Sequence, residues 1–345
     1  GYIYVQNATE KRNSYEGKQN VAAAYLMTDA YITHKLRAIA GARMEKTDIL
    51  LVSKDRNLPK GQLNNLDVLP SVNLSYELTD KMKVRTAYTR TLARPTFREL
   101  APFGSFNFIG DFLVVGNDSL QRTLIDNFDV RWEFYPNTGE IISVSGFYKI
   151  FHNPIERAFN PVAALPELNY RNVDRATVYG AEVEVKKSLG SVIPVLKPLF
   201  VGANFSYIYS QVTISPDELT AIRATNPSHP DTREMFGQSP YVFNSFINYK
   251  SDSLKLNATL AYNVSGPRIV VVMTGGTPNV YEQPFGQLNF SLSKDLGNKF
   301  KIKVSANNLL NPEYKQTQEF KGKEYIFQSY KRGRTFGISI TYKIN

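Results

Sequence analysis

Residues 334–345 read Arg-Thr-Phe-Gly-Ile-Ser-Ile-Thr-Tyr-Lys-Ile-Asn, so Phe336, Ile338, Ile340, Tyr342 and Ile344 alternate with Thr335, Gly337, Ser339, Thr341 and Lys343. Successive side chains of a β-strand point to opposite sides, so this segment has one greasy face and one polar face. The same rule holds upstream. Leu254, Leu256, Ala258, Leu260, Tyr262 and Val264 form one such series, and Leu288, Phe290, Leu292 and Phe300, Ile302, Val304, Ala306 form two more. Phe128, Val130, Trp132, Phe134 and Leu199, Val201, Ala203, Phe205, Tyr207, Tyr209 continue the pattern, as do Ile142, Val144, Gly146, Tyr148 and Val72, Leu74, Tyr76, Leu78. Helical spacing fits none of them.

These segments start near residues 2, 20, 35, 68, 82, 126, 140, 177, 198, 241, 254, 286, 299 and 328. There are about 14, most of about 9–11 residues, the length a tilted strand needs to cross a bilayer. The connectors between them alternate in length. Thr79–Lys81, Pro136–Gly139, Ser251–Ser253 and Leu296–Asn298 are short and turn-forming. The segments 91–125, 151–176, 212–239, 266–285 and 309–327 are long and hold most of the prolines, which would interrupt a strand ladder. Short turns at one end and long loops at the other mark an outer-membrane barrel. A soluble sandwich has strands of about 5–6 residues, and its connections do not sort this way. The expected fold is therefore all-β: an antiparallel transmembrane β-barrel segment over 1–345, multi-pass in the cell outer membrane.

Composition agrees. The chain is 42% hydrophobic and 12% aromatic, yet its mean hydropathy is only −0.30, because lipid-facing and lumen-facing residues cancel. No cysteine is present, which excludes a disulfide framework and a thiolate metal site. The net charge of +10 comes from Lys and Arg scattered along the chain rather than in blocks, which argues against nucleic acid as a partner and for a polar lumen or anionic headgroups. Outer-membrane lipid and lipopolysaccharide are the expected surroundings.

Several stretches resemble the barrel of TonB-dependent outer-membrane receptors, Bacteroidota-type ones in particular. They include Leu69–Tyr76, then Arg85–Leu100 with its Thr91-Leu92-Ala93-Arg94-Pro95-Thr96-Phe97-Arg98-Glu99-Leu100, Asp126–Asp129, Phe147–Lys149 with Asn153–Ile155, Tyr179–Glu184, Asn307–Asn311 and Arg332–Phe336. The resemblance runs from about residue 20 to the end, and the order of the pieces is more specific than any one of them. It implies the C-terminal portion of a 22-stranded barrel of the plugged transporter type. It also implies active uptake of an unknown nutrient ligand, such as a siderophore, glycan, peptide or cobalamin. The plug and the segment that couples to the TonB system are not in this sequence, so the about 14 segments would be roughly the last two-thirds of such a barrel. Two alternatives compete: a complete 14-stranded passive channel, and a non-transporting scaffold for a surface lipoprotein or other outer-membrane proteins.

No motif points to catalysis or to a cofactor. His34, His152 and His229 lie far apart, in connectors on this reading, so neither a metal site nor an enzyme is expected. Glu182 and Glu184 share one strand face, as do Asp129, Arg131 and Glu133, and Lys301 and Lys303; all are expected to line the lumen. The loop after Arg94 crowds Phe97, Phe103, Phe106, Phe108 and Phe112 beside Arg94 and Arg98. Binding residues concentrate on loops held by a rigid scaffold, so Arg94, Arg98, Phe103, Phe106 and Phe108, with Tyr170, Arg171 and Tyr281, are the candidate ligand contacts. For Arg94 and Pro95 a role in folding the loop back over the mouth is the stronger expectation. Trp132 and the tyrosines near strand ends are expected in the interfacial aromatic girdle.

Overall fold

The structure, a computed structural model, describes residues 11, 14–55, 57–105, 112–160, 167–191, 193–274 and 276–344. Thirteen strands follow one another in a single antiparallel row: Tyr15–Tyr31, Leu36–Ser53, Gly61–Thr79, Met82–Ala93, Thr123–Phe134, Ile141–His152, Arg175–Ser188, Leu199–Thr213, Tyr241–Ser251, Leu256–Ser265, Gln287–Leu296, Phe300–Asn307 and Thr335–Tyr342. A two-residue strand, Thr232–Arg233, pairs with Leu199–Thr213 beside this row. The wall is that of a β-barrel, and every step between sequence neighbours is a hairpin. The segment expected near residue 2 lies outside the described residues. Among the described residues no helix is long and apolar enough to cross a membrane.

Short connections gather at one end. The backbone N–H of Tyr135 donates to the Lys81 carbonyl, Asp295 N–H to Lys255, and Lys343 N–H to Lys299, so neighbouring turns are tied edge to edge. Lys81 Nζ donates to the Pro136 carbonyl at 2.9 Å. Gly139 and Gly297 adopt φ of +81° and +64°, which suits glycine at hairpin positions.

The register fixes which side chains face which way. Ile49, Leu51 and Leu63 are buried under Leu100 and Ala101 of the loop that follows Ala93, so their face is the inner one. Followed from strand to strand, the register puts Arg131, Glu133, Glu182, Glu184, Lys301 and Lys303 on that inner face. There, Arg85 donates to Glu133, and Arg131 bridges Glu133 and Glu184. The opposite face carries Leu256, Leu260, Phe290, Ile302, Ile338 and Ile340, of which Ile338 and Ile340 are 77% and 68% exposed. Uncovered aliphatic side chains in a continuous band are what a lipid-facing surface requires. Five outward aromatic residues, Tyr88, Phe128, Tyr148, Tyr179 and Tyr209, are consecutive register partners across five strands, and the ring pairs within the row lie 5.0–6.2 Å apart. Trp132 faces outward below them.

Two expectations need correction. His152 is not in a connector: it ends the strand Ile141–His152 and, through its register partners Leu124 and Arg175, lies on the outward face. The alternating tail from 328 is also not one strand. Lys323–Lys331 turns back on Glu313–Phe320 in a separate sheet, and the wall strand begins at Thr335. Gly333, at φ +82°, makes the break; its N–H donates to Asn311 Oδ1 and its carbonyl accepts from Asn308 Nδ2.

Candidate functional site

The long loops fold together into a cap at the other end of the wall. Strands Gly104–Ser105, Leu113–Val115, Glu167–Asn172 and Ile155–Asn160 form one small sheet. Arg268–Val271, Val280–Glu282, Glu313–Phe320 and Lys323–Lys331 form a second. They are stitched to each other by Phe159 N–H to the Val272 carbonyl at 2.8 Å, by the Thr274 hydroxyl to the Phe159 carbonyl at 2.8 Å, and by a parallel bridge between Ala158 and Val272. Phe112 of the first region stacks on Phe327 of the second, 5.7 Å between ring centres. A loop must satisfy its own backbone to fold over a mouth, and these contacts do so.

The candidate residues divide into two roles. Arg94 turns back into the wall: its Nε donates to Thr47 Oγ1 at 3.0 Å and its Nη2 to Glu45, both on the inner face. Thr96 then starts the helix Phe97–Leu100 with a capping box, its hydroxyl accepting from Glu99 N–H while Glu99 accepts from Thr96 N–H. That box stands in the sequence as Thr96…Glu99 and marks a helix start. Leu100 is fully buried against Ile49, Leu51 and Leu63. Arg98 donates to the carbonyls of Phe103 and Val114, and its guanidinium lies 4.9 Å over the Phe103 ring. Phe103 in turn packs on Tyr15 of the first strand. Gly116 lets the chain pass close by, since a Cβ there would meet the Ala101 carbonyl oxygen at 2.2 Å. Arg94, Arg98 and Phe103 therefore build the cap. Phe106 and Phe108 lie outside the described residues. Tyr170 bridges two apolar clusters of the cap.

Tyr281 has a different setting. It lines a cavity of about 600 Å³ between the helix Pro216–Thr225, the 273–281 loop and the tip of the 313–331 hairpin. Ile222, Met273 and Phe320 supply apolar wall; Asn226, His229 and Asn279 supply polar wall. Burial, with Glu234 nearby, pushes the Tyr281 phenol up to about 12, so it stays protonated and able to donate at neutral pH. Below it run four charged residues from two loops. Arg233 donates to both oxygens of Glu156 at 2.6 Å, and Arg171 joins Glu156 to Glu218 through contacts of 2.8 and 2.7 Å. Burial works against the Arg171 charge, but Glu156 and Glu218 outweigh it and hold its pKa above the usual value. Of these four, Glu218 and Arg233 line the cavity, and Glu319 and Lys321 add one charge of each sign to its wall. Of this group the sequence reading singled out Tyr281 and Arg171 and missed Glu156, Glu218, Arg233 and Phe320. The signal that could have found the ten-residue helix within the 212–239 connector is Ser215-Pro216-Asp217-Glu218, with proline at its first turn and acids to follow. Among the described residues no cluster of His, Asp and Glu could hold a metal ion.

The family model described as "Outer membrane protein beta-barrel family" matches residues 3–342. No curated protein sequence matches the chain. Among solved structures, the chain is similar to the ferric yersiniabactin uptake receptor of Yersinia pestis, at 17% identity and a TM-score of 0.61, over 96% of this chain and 46% of that one. It is similar to the ferric enterobactin receptor of Pseudomonas aeruginosa at 17% identity and a TM-score of 0.59, over 94% of this chain and 45% of that one. The siderophore receptor of Acinetobacter baumannii matches at 14% identity and a TM-score of 0.59, covering 98% of this chain and 47% of that one. At these identities the likeness is one of fold, and the chain spans about half the length of the structures it matches.

Proposed function

The chain belongs to the outer membrane protein beta-barrel family, and on that premise we propose that it is the wall and ligand-capturing cap of a TonB-dependent receptor that imports a nutrient. The observation that carries this reading is on the inner face of the first strands. Tyr25 and Met27 pair with Arg43 and Gly41 and so share the inner face with Glu45, yet they are 71% and 61% exposed. With Ile39 and Leu69 they line an apolar hollow. A water-filled channel has a polar interior, whereas an apolar inner patch suits a lumen filled by protein. The edges of the sheet support the same reading. Among the described residues Tyr15–Tyr31 pairs only with Leu36–Ser53, and Thr335–Tyr342 only with Phe300–Asn307. A complete passive channel needs those two edges joined, because an open edge in hydrocarbon leaves donors and acceptors unpaired at several kcal/mol each.

In this reading ligand enters the cavity around Tyr281 and Phe320, and TonB acts on a plug supplied by another part of the polypeptide. The test is growth of cells carrying the full protein in media limited in turn for iron, glycan, peptide or cobalamin. Growth that requires the protein in one of these media, is lost without TonB and is weakened by Phe320→Ala or Tyr281→Ala supports it. Uptake that persists unchanged without TonB makes the protein a passive channel; no uptake defect in any medium makes it a scaffold.

A further inference from the structure

We propose that the outward rim shared by strands Met82–Ala93, Thr123–Phe134, Ile141–His152 and Arg175–Ser188 binds the phosphate of an outer-leaflet lipid. The register sets the place. Arg90 faces Asp126, which partners Ile150, and Leu124 faces His152, which partners Arg175. All stand on the outward face, two and four residues beyond the aromatic row of Tyr88, Phe128, Tyr148 and Tyr179. Counted from the short-turn end, the strand Thr123–Phe134 has 12 residues, which at about 3.3 Å each and a tilt of about 40° brings its far end roughly 30 Å up. That is where hydrocarbon gives way to headgroups.

Ionisable side chains facing lipid are expensive and need a partner. Asp126 has one. It is buried, with 9% of its side chain exposed, and accepts from Arg90 Nε at 2.8 Å, Arg90 Nη2 at 3.0 Å and the Tyr88 hydroxyl at 2.9 Å, with His152 Nε2 at 3.2 Å. This fixes the Arg90 fork and the His152 ring against the wall. Arg175 is exposed, and neither Asp126 nor the adjacent Asp174 forms an ion pair with it. Asp126 takes up the Arg90 charge, whereas the exposed Arg175 guanidinium at the rim forms no ion pair among the described residues. The contrast with the rest of the rim is informative. Lys46, Asp48 and Asn64, outward on the second and third strands, satisfy one another, and the strand Leu199–Thr213 presents only Gln211 and Thr213 at this level. A guanidinium presents paired N–H groups that match phosphate oxygens, so the unmatched cation sits where a lipid phosphate can meet it.

The test is native mass spectrometry of the full protein in a neutral detergent, with bis-phosphorylated lipid A and with the same lipid dephosphorylated. The phosphorylated form is expected to bind about tenfold tighter or more, and Arg175→Gln to reduce that binding by about fivefold while leaving the dephosphorylated form unchanged. Arg175→Lys is expected to keep most of the preference. Since Arg175 makes no ion pair among the described residues, its loss is expected to leave the fold intact, which heat-modifiable gel mobility checks. Equal binding of the two lipids overturns the proposal, as does an Arg175→Gln protein with the wild-type preference. Displacement of lipid by millimolar inorganic phosphate overturns it too, since the site then takes any small anion.

Discussion

Arg94 ends its strand by reaching 49 positions back along the chain to Glu45, whose side chain is 12% exposed, and to Thr47. Removing its guanidinium leaves Glu45 with Arg43 alone. Arg94→Ala is therefore expected to loosen the 94–122 loop by about 1.5–3 kcal/mol, the worth of a hydrogen bond to a charged group, without unfolding the wall. Faster protease cleavage in that loop, with unchanged gel mobility of the barrel, is the expected result; wild-type cleavage rates refute the tether. Glu234 allows a pH test. Burial raises its carboxyl above the ordinary 4.5, so the folded cap holds that proton more tightly than the unfolded chain does. Its penalty is absent well below 4.5, grows as pH rises from there toward the raised folded value, and stays constant above it. Glu234→Gln should therefore flatten the loss of hydrogen-exchange protection in 232–239 as pH rises above 4.5, after correction for intrinsic rates. An identical loss in both proteins would rule out a Glu234 contribution.

At the scale of elements, the wall was legible because one rule repeats. Each strand needs only an apolar series at every second position, and the register carries that series from Met82 to Tyr342 without a slip. The cap was not legible in the same way. It brings together residues far apart, Phe112 stacked on Phe327 and Ala158 bridged to Val272, and nothing in either segment names its partner. The first strand also departs from the rule: its apolar Tyr25 and Met27 fall on the inner face. Two experiments address the elements. An epitope inserted at Asn226, in the cap, should be detectable on intact cells and one at Asn137, in a short turn, should not; the reverse result inverts the orientation. Leu260→Arg, on the lipid face at mid-strand, should cost about 2–4 kcal/mol in refolding into lipid vesicles, whereas Lys303→Arg on the inner face should cost little. Equal costs would mean that the two faces are exchanged.

For the whole molecule, the central claim is that this wall is closed by strands other than its own first and last. The described strands form a continuous row whose ends, Tyr15–Tyr31 and Thr335–Tyr342, each lack a second neighbour among the described residues. Such edges persist in a bilayer only when something completes their ladders. Fold likeness to structures about twice as long agrees with that arrangement, and the apolar inner patch agrees with a filled lumen. The chain has no cysteine, so a pair introduced at Ala24 and Ile338 reports on these two strands alone. In outer membranes from cells making the full protein, oxidation of that pair is expected to give no intramolecular disulfide, while a control pair on paired strands, Val304 and Ile338, cross-links readily. Efficient cross-linking of Ala24 to Ile338 would join the two edges directly and contradict the account.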